Sequence, residues 1–467
     1  MKALRDPQCL LGAGLAAIRD QFRVPADFPP DVLAAAESAA RRAPTAHADW
    51  TDRAFVTLDP ARSTDLDQAF AIEPAGADLL LHYAIADVPW FVDEGGPIDL
   101  EAWKRGVTLY LPDGRAGLYP SVLSERAASL LPANHPHGGP RPAIVLTVRV
   151  APDGGATLDA VTRALVRSRA KLAYASVRDD ELPTGFAELA ARIAAAEDRR
   201  GAARVDPPEQ EVERDDAGRF ALRFRPLSPA ETRNAALSLA ANLAVADALL
   251  AAGTGLFRVM APPDAEAEAR LRRSARALRL DWPEAMSLTQ FERRLDPQRP
   301  TDAAFMLAVR RAGNGASYIA YRPGDPLPWH APMAATYAHA TAPLRRLQDR
   351  YLLEAVLAVA NGRPVPDHVS AAFARLPETM RKAEARAGQI ERAVIDLAEV
   401  ALLSGREGDS FAAVVTDLGE NGARFQLRDL PVVARTAAHG VVPGARITVR
   451  LAEADLARRA LRFERTA

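Results

Sequence analysis

The chain has 467 residues, of which 48% are hydrophobic and 25% are charged, and its formal net charge at pH 7 is −1. This composition is typical of a folded globular protein and favours neither a disordered nor a membrane protein, while the length allows roughly three domains of about 150 residues. A net charge close to zero excludes a uniformly basic surface. Any site for a polyanion must therefore come from a local cluster of arginine side chains.

Cysteine is almost absent, since Cys9 is the only one in the sequence. An internal disulfide and a cysteine-based zinc site are both excluded, and we expect a reducing, cytoplasmic environment. We find no apolar run close to about 18 residues and no N-terminal signal peptide. The sequence therefore predicts a soluble protein without a membrane partner.

The first 45 residues carry two stretches with helical apolar periodicity, at residues 10–22 and 31–42. The prolines of VPADFPP, between the two stretches, exclude one continuous helix. We therefore predict a small helical N-terminal module over residues 1–45. Such a pair is either a helix-turn-helix-like unit, which would suit a DNA-binding regulator, or a plain packing element.

Strand signals dominate from residue 54 to about residue 150, where AFVTL, QAFAI, LLLHYAIA and AIVLTVRV are separated by Pro, Gly and Asp. A short helix is predicted within this region at residues 99–105. Helical periodicity then takes over at residues 185–200, 231–250, 264–278, 301–311, 342–360 and 377–403. This order indicates an α+β body over residues 46–405, in which helices surround a mixed sheet.

The pattern changes again beyond residue 405, where five short alternating segments follow one another: FAAVVTDL, ARFQLRD, PVVART, ARITVRL and ALRFER. Asn421-Gly422, between the first two segments, is a strong hairpin signal. We predict an OB-fold β-barrel over residues 406–467, a fold often used to bind single-stranded nucleic acid. A β-barrel without a nucleic-acid ligand is the alternative.

The stretch FVTLDPARSTDLDQAF, residues 55–70, contains three aspartates within nine residues: Asp59, Asp65 and Asp67. Asp59 ends a strand-like run, whereas Asp65 and Asp67 are two residues apart and face the same way on an extended backbone. Carboxylates gathered in this manner suit Mg²⁺ or Mn²⁺, which prefer oxygen ligands. A solvated turn is the alternative, because aspartate is common in turns.

Several motifs resemble, in order, those of the RNase II and RNase R family of processive 3′-to-5′ exoribonucleases. TLDPARSTDLDQA, at residues 57–69, resembles the family's TxDxxxxxDxDDA signature and matches three of its four acids. Residues 83–113 and 118–130 resemble its IADV, YLP and LPxxLSxxxxSL motifs. TYAHATAPLRRLQDR, at residues 336–350, resembles its YxxxTSPIRRY signature, with Ala342 in place of serine.

The resemblance implies an RNB-type catalytic body that hydrolyses single-stranded RNA to 5′-nucleoside monophosphates. It implies a Mg²⁺ or Mn²⁺ site formed by Asp59, Asp65 and Asp67, in which Asp67 occupies the position that matters most for activity. Gln68 stands where the family has a fourth metal-ligand aspartate; its amide oxygen could coordinate, but one negative charge is lost. Arg345 matches an arginine that clamps the scissile phosphate, a role that suits a guanidinium group.

The same resemblance implies contacts with RNA. Tyr110 matches a tyrosine that stacks on the terminal bases, and Glu391 matches a glutamate near the catalytic centre. Arg346 and Arg350 are expected to contact phosphates. The basic segment at residues 164–174 either lines the RNA path or is ordinary surface. Its cationic residues are Arg167, Arg169 and Lys171.

The sequence also departs from the family pattern. Val205 stands in place of a second stacking phenylalanine, and Ala235, beside Asn234, replaces a glutamate that contacts the terminal ribose. Only about 50 residues precede the acidic motif, where the family has two cold-shock barrels. We therefore expect this chain to approach base-paired RNA more closely.

Two functions remain open from the sequence. The first is a monomeric, cytoplasmic exoribonuclease with single-stranded RNA as its partner, which the three retained aspartates and Arg345 favour. The second is a catalytically weakened relative that mainly binds RNA, which Gln68 and Ala235 favour.

Overall fold

The structure is a computed structural model that describes residues 4–5, 10–203, 209–214, 220–225, 227–296, 299–313, 315–419, 422–437 and 440–466. Three residues discussed above, Cys9, Val205 and Asn421, lie outside these ranges.

The strands of the described ranges form one closed barrel, one C-terminal sheet and several smaller sheets. In chain order they are β1 (Leu4–Arg5), β2 (Ala48–Asp59), β3 (Gln68–Ala75), β4 (Asp78–Ala86), β5 (Leu109–Leu111), β6 (Gly114–Ala116), β7 (Arg141–Val150), β8 (Ala156–Ala173), β9 (Glu209–Arg214), β10 (Phe220–Arg225), β11 (Leu256–Val259), β12 (Ser317–Ala320), β13 (Trp329–His330), β14 (Ala335–Thr336), β15 (Ser410–Gly419), β16 (Gly422–Leu427), β17 (Val433–Thr436), β18 (Arg446–Asp455) and β19 (Ala460–Arg465).

The helices precede, cover and follow the barrel. In chain order they are α1 (Leu10–Gln21), α2 (Pro30–Ala40), α3 (Val88–Phe91), α4 (Pro97–Arg105), α5 (Phe186–Arg200), α6 (Pro229–Ala251), α7 (Ala265–Ala277), α8 (Leu288–Glu292), α9 (Pro300–Ala312), α10 (Leu347–Ala360) and α11 (Asp367–Leu403). A π-helical turn at Leu123–Ala127 and 3₁₀ turns at Asp179–Glu181 and Ala331–Met333 complete the helical elements of the described ranges.

Strands β2, β3, β4, β7 and β8 form the closed barrel in that order. Neighbouring strands are antiparallel except β2 and β8, which run parallel. Asp59 pairs with Ala173 and Gln68 pairs with Ile85, so the end of β2 and the start of β3 lie at the same end of the barrel. The acidic loop that joins these two strands is therefore at this end.

Helices α5, α6 and α10 pack against the outer face of the barrel. This cover explains why β7 is buried along almost all of its length and why its sequence, PAIVLTV, is a continuous apolar run instead of an alternating one.

Helix α6 corrects the expectation that the chain has no long apolar run. It contains an 18-residue window with a mean hydropathy of 1.5, which by length and composition alone could cross a membrane. In the fold 56% of that window is buried inside the protein, where α6 packs against α5, α10 and β8. These contacts are those of a core helix.

The two predicted N-terminal helices are present and bury one face each against the body. Helix α1 packs on α11, and α2 packs on α4. The buried residues are Leu11, Leu15 and Ile18 on α1 and Val32, Ala36 and Ala39 on α2. All six belong to the hydrophobic core that includes the barrel, so both helices are packing elements of the main body.

Arginine side chains hold the C-terminal end of α1. Arg19 forms a bidentate pair, at 2.9 and 2.8 Å, with Asp113 in the turn between β5 and β6. Arg386 on α11 donates hydrogen bonds to the carbonyls of Phe22 and Arg23 at 2.7 and 2.6 Å. The N-terminal module is thus tied both to α11 and to the β5–β6 hairpin.

Strands β15 to β19 form an antiparallel sheet in the order β17-β16-β15-β18-β19, which curls into a nearly closed, OB-like barrel. Phe411, Phe425 and Phe463 lie in its separate core, and Leu403 at the end of α11 joins them. The predicted fold class, an α+β body with a helical N-terminus and a C-terminal OB-like barrel, is confirmed. The domain boundaries at residues 45 and 405 stay predictions.

Helix α11 begins ten residues earlier than the sequence predicts and contains Pro377 in its interior. Proline is normally unfavourable inside a helix, because it removes a backbone hydrogen bond and its ring clashes with the preceding turn. Here Phe373, Leu376 and Met380 are all buried around this position. Burial of these apolar side chains outweighs the local preference of Pro377.

Glu399, near the end of α11, joins three elements. Its Oε1 accepts hydrogen bonds from Gln210 Nε2 on β9 at 2.6 Å and from the Val433 N–H on β17 at 2.8 Å. Burial raises the pKa of Glu399 to about 8, although both hydrogen bonds favour the charged form. The carboxyl group is therefore largely neutral at pH 7.

Replacing Glu399 with glutamine should stabilise the protein most at alkaline pH. The pKa of this group in the folded protein lies above its usual value of 4.5, so the stability that it contributes falls as the pH rises from about 5 to above 8. Glu399→Gln retains an acceptor for Val433 and removes this dependence. We expect a melting temperature about 1–4 °C above that of the wild type near pH 8.5 and a smaller difference near pH 5.5.

The matched control is Glu407→Gln, because Glu407 is exposed just beyond the end of α11. This control should change the melting temperature equally at the two pH values. The same pH-independent behaviour in Glu399→Gln would contradict the role of burial.

Candidate active site

The acidic loop is fixed to the body through Leu66, which lies between Asp65 and Asp67 in the sequence and is fully buried. The Leu66 N–H donates a hydrogen bond to Ser129 Oγ at 2.9 Å, and the Ser129 hydroxyl donates to the Thr64 carbonyl at 2.7 Å. These contacts hold the backbone around Leu66 extended. Asp65 and Asp67 therefore face away from the core side of Leu66, as the alternation predicts.

Asp67 is the most buried acid of the loop, with only 4% of the residue exposed. Its Oδ1 accepts the Leu344 N–H at 2.7 Å, and its Oδ2 lies 3.3 Å from Arg345 Nε. Burial raises the pKa of Asp67 to about 7, with the Arg345 charge acting against this shift. Burial likewise raises the pKa of Asp59 to about 6, against the charges of Arg345 and Lys171.

Asp65 has different partners. Its Oδ1 lies 2.6 Å from Arg115 Nη1, and its Oδ2 accepts the Tyr110 hydroxyl at 2.7 Å. Tyr110 and Arg115 face each other across the β5–β6 hairpin, and Glu125 lies 2.6 Å from the same guanidinium group. Sequence reasoning missed Arg115 and Glu125, although the Pro-Asp-Gly turn after Tyr110 is a hairpin signal that pairs Tyr110 with Arg115.

The Gln68 side chain is engaged at both of its polar atoms. Its Nε2 donates to the Thr341 carbonyl at 2.6 Å, while its Oε1 accepts the Tyr83 hydroxyl and, at 3.3 Å, the Ser238 hydroxyl. The Tyr83 and Ser238 hydroxyls also lie 2.7 Å from each other, and the two hydroxyl protons serve these three contacts. Direct coordination of a metal ion by the amide oxygen competes with its hydrogen bond from Tyr83.

Arg345 lies on a turn before α10, whereas the periodicity predicted a helix from residue 342 onward. The Arg345 N–H donates to the Ala342 carbonyl at 3.2 Å, and the Ala342 N–H donates to the buried carboxylate of Asp349 at 2.7 Å. Asp349 therefore closes residues 342–345 as a turn, and the helix begins only afterwards. The turn leaves 47% of the Arg345 side chain exposed beside Asp67.

Arg346 and Arg350 do not occupy the expected phosphate-facing positions. Arg346 forms a bidentate pair with Asp349 at distances of 2.6 to 3.2 Å. Arg350 is only 3% exposed and is paired with Asp99. Both guanidinium groups are paired with carboxylates of the protein, and their contacts with RNA stay predictions. The Arg346–Asp349 spacing of three residues on a helix start was the signal for a local pair.

The three cations predicted to line the RNA path lie on one face of β8 but have different surroundings. Lys171 Nζ donates to the carbonyls of Ala61 and Ser63 at 2.7 and 2.5 Å and so holds the acidic loop. Arg169 donates at 2.5 Å to a backbone carbonyl of β2. Arg167 is exposed on the same face. Of the three, Arg167 therefore remains the best candidate for a contact with RNA.

Two further expectations concern Asn234 and Glu391. Asn234 is buried, and its amide nitrogen donates to the Tyr174 hydroxyl at 2.8 Å, so this nitrogen serves the interior of the site and does not stand free for a ribose. Glu391 lies on the exposed face of α11. Its contact with RNA stays a prediction.

A large cavity adjoins these residues. Its volume is about 1050 Å³, and Gln68, Tyr174, Asn234, Ser238 and Arg345 belong to its wall. Most of the remaining wall consists of alanine, proline, leucine and methionine side chains. The wall also includes charged residues, among them Glu231, Arg233, Glu292 and Arg310. A cavity of this size suits a small organic ligand such as a nucleotide.

Asp59 and Asp67 fit a hard divalent cation. Both are buried carboxylates with a raised pKa, and a nearby cation favours their ionised form. Across the described residues no group of three or more His, Cys, Asp or Glu side chains is arranged to hold one ion. Asp65, bound to Tyr110 and Arg115, becomes a third ligand only if it changes partners.

Comparison with known proteins agrees with this fold. A family model described as "RNB domain" matches residues 47–361, and one described as "RNase II-type exonuclease C-terminal S1 domain" matches residues 409–466. The chain is 27% identical over 446 residues to Ribonuclease R of Aquifex aeolicus and 30% identical over 417 residues to Exoribonuclease 2 of Cronobacter sakazakii. These matches cover 88% and 83% of this chain and 61% and 62% of the relatives.

Solved structures share the fold at low sequence identity. The apo form of Mycoplasma genitalium RNase R matches with a TM-score of 0.84 at 20% identity, over 98% of this chain and 78% of that one. Yeast Ssd1, described as a pseudonuclease, matches with a TM-score of 0.67 at 17% identity, over 90% of this chain and 54% of that one.

The "RNB domain" match extends over more than half of the residues, and the C-terminal S1 match accounts for most of those that follow α11. The chain therefore belongs to the RNB-domain family, together with Ribonuclease R and Exoribonuclease 2.

Proposed function

We propose that this chain is a 3′-to-5′ exoribonuclease that hydrolyses single-stranded RNA processively to 5′-nucleoside monophosphates with the aid of a divalent metal ion. One observation carries the proposal: the buried carboxylate of Asp67 lies 3.3 Å from the half-exposed guanidinium of Arg345, which borders the large cavity. Phosphodiester hydrolysis needs acids that can hold a cation next to a group that binds phosphate.

Family membership supports the proposal. Relatives carry the names Ribonuclease R and Exoribonuclease 2, and exoribonucleases with this domain generally depend on divalent metal ions. The chain spans about three fifths of the length of these relatives. We further propose that it acts in the cytoplasm as a monomer.

Each side chain has a distinct task in this proposal. Arg345 binds the scissile phosphate, since its guanidinium is permanently charged and reaches outward from the turn. Asp67 orients Arg345 through Oδ2. Tyr110, with 54% of the residue exposed, offers its ring to a base upstream of the scissile linkage. The cavity beside Gln68 accepts the terminal nucleotide.

Asp59 and Asp67 are the residues that would hold the metal ion. When bound there, the ion neutralises charge on the phosphate and acidifies the attacking water. Lys171 keeps the loop around Ser63 closed, so that the two carboxylates stay on the same side of the barrel end.

A catalytically weakened RNA-binding protein is the second candidate. The engaged Gln68 side chain favours it, and the pseudonuclease yeast Ssd1 has a similar fold. Incubation of 5′-labelled oligoadenylate with Mg²⁺ or Mn²⁺ distinguishes the two. A ladder that shortens to a product of a few nucleotides supports the exonuclease, whereas a gel shift without shortening supports the binder.

Replacing Asp67 with asparagine should reduce single-turnover hydrolysis by on the order of 10³-fold, while RNA affinity measured without a divalent ion changes by less than about threefold. Asparagine retains an oxygen acceptor for the Leu344 N–H, so the fold should persist. The control is Asp78→Asn, which lies at the opposite end of the barrel and should hydrolyse RNA as the wild type does. Hydrolysis by Asp67→Asn within about tenfold of the wild type would exclude the proposed site.

Replacing Gln68 with aspartate should lower the Mg²⁺ or Mn²⁺ concentration needed for half-maximal activity, because it restores a negative charge at the site. The same change should lower the melting temperature, because the Thr341 carbonyl loses its donor. Gln68→Asn, which adds no charge, is the control for the shortened side chain. An unchanged metal titration for Gln68→Asp would contradict the charge argument.

Replacing Tyr110 with alanine should raise the KM for RNA by about 5–150-fold, with a smaller effect on kcat, because stacking on a base contributes about 1–3 kcal/mol. Steady-state kinetics on oligoadenylates of several lengths would measure this effect. Leu100→Ala removes a similarly exposed apolar side chain from α4 and should leave KM unchanged. Equal KM values for the two variants would count against Tyr110 as the stacking residue.

A further inference from the structure

Both carboxylate oxygens of Asp65 are held by a single hairpin. Arg115 on β6 contacts Oδ1 at 2.6 Å, and Tyr110 on β5 donates its hydroxyl to Oδ2 at 2.7 Å. The two residues are direct cross-strand partners. The position of the Asp65 carboxylate therefore depends on the position of this hairpin.

The two contacts differ in how firmly they are anchored. Arg115 is fixed, because its Nη2 lies 2.6 Å from Glu125 Oε1 and donates to Thr64 Oγ1 at 2.7 Å. Tyr110 has more freedom: it is largely exposed, and Asp65 Oδ2 is the acceptor for its hydroxyl. A ligand that moves the Tyr110 ring would free Oδ2 while Oδ1 stays on Arg115.

Electrostatic repulsion explains why Asp65 is held in this way. Asp65 is close enough to Asp59 and Asp67 for its charge to oppose the ionisation of both. The pair with Arg115 offsets the Asp65 charge. Without a cation at the site, a carboxylate turned toward the other two would be unfavourable. With a cation present, the same movement adds a favourable ligand.

We propose that Tyr110 couples RNA binding to metal binding, by releasing Asp65 Oδ2 as a third ligand beside Asp59 and Asp67 when a base stacks on its ring. Arg115 is the positioning residue that retains Oδ1 and acts as the pivot. This inference rests on the proposed function and assigns a regulatory step to the same site. By thermodynamic linkage, RNA and the divalent ion must then raise each other's affinity by the same factor.

The test measures metal binding without catalysis. Loss of the electron paramagnetic resonance signal of free Mn²⁺ reports binding to the full chain, with and without a 2′-O-methyl oligoadenylate that resists hydrolysis. We expect the oligonucleotide to tighten Mn²⁺ binding to the wild type by on the order of tenfold. Tyr110→Phe keeps the ring but lacks the hydroxyl. It should bind Mn²⁺ more tightly than the wild type without RNA and respond to RNA by less than about twofold.

Tyr321→Phe is the matched control, because it removes the same atom from a tyrosine whose ring packs on Phe257 away from Asp65. This variant should respond to the oligonucleotide as the wild type does. Equal Mn²⁺ affinities of Tyr110→Phe and the wild type without RNA would overturn the coupling. The coupling would also be overturned if the Mn²⁺ affinity of the wild type did not change when fluorescence anisotropy shows that the oligonucleotide is bound.

Failure of the proposed function has a different signature. If Asp67→Asn binds Mn²⁺ as tightly as the wild type, the metal site itself is refuted, and the coupling with it. If Asp67→Asn loses Mn²⁺ while Tyr110→Phe behaves as the wild type, the metal site stands and the coupling alone is refuted.

Discussion

The hydrogen bond from the Leu344 N–H to Asp67 joins two segments that are 277 residues apart in the chain. Together with the adjacent ion pair to Arg345, it fixes the acidic loop of the barrel against the turn before α10. A buried carboxylate is stable only with donors at short range. The segment around residue 344 supplies both a backbone and a side-chain donor. The need to satisfy Asp67 therefore brings this acid next to Arg345, a half-exposed arginine in the wall of the cavity.

The ionic groups around this contact fall into two kinds. Arg346 with Asp349 and Arg350 with Asp99 are closed pairs, in which each buried charge has its counterion. Such pairs fix the shape of the turn and of α10. The carboxyls of Asp59 and Asp67 are different, because burial raises the pKa of each despite the nearby Arg345. Buried charge that a fold leaves incompletely compensated is typical of a functional site.

Much of the architecture could be predicted from the sequence, because hydrophobic periodicity reports burial directly. The barrel strands, most of the helices and the C-terminal OB-like barrel follow from it. The helix predicted at residues 342–360 begins only at Leu347, because periodicity cannot reveal that Asp349 closes the preceding residues as a turn. Helix α11 likewise continues through Pro377 because tertiary packing outweighs a local preference.

The site was predictable in its residue types but not in its partners. Motif order identified Asp59, Asp65, Asp67 and Arg345, yet the same order suggested that neighbouring arginines face RNA, and those side chains turn inward. Partners such as Arg115 are separated from the acidic loop by many residues, and no local pattern encodes which charged group will meet which. Only the folded arrangement of the β5–β6 hairpin shows that one of the three acids is held apart from the other two.

The hydrogen bonds of Gln68 limit the order in which this site can change during evolution. The amide links the Thr341 carbonyl to two hydroxyl groups, so it needs one donor and one acceptor end. An acidic residue at this position matches the hydroxyl groups but not the carbonyl. An acid at position 68 therefore needs another donor for the Thr341 carbonyl, or leaves that carbonyl without its donor. A substitution at position 68 and a second substitution that supplies this donor are expected to be epistatic.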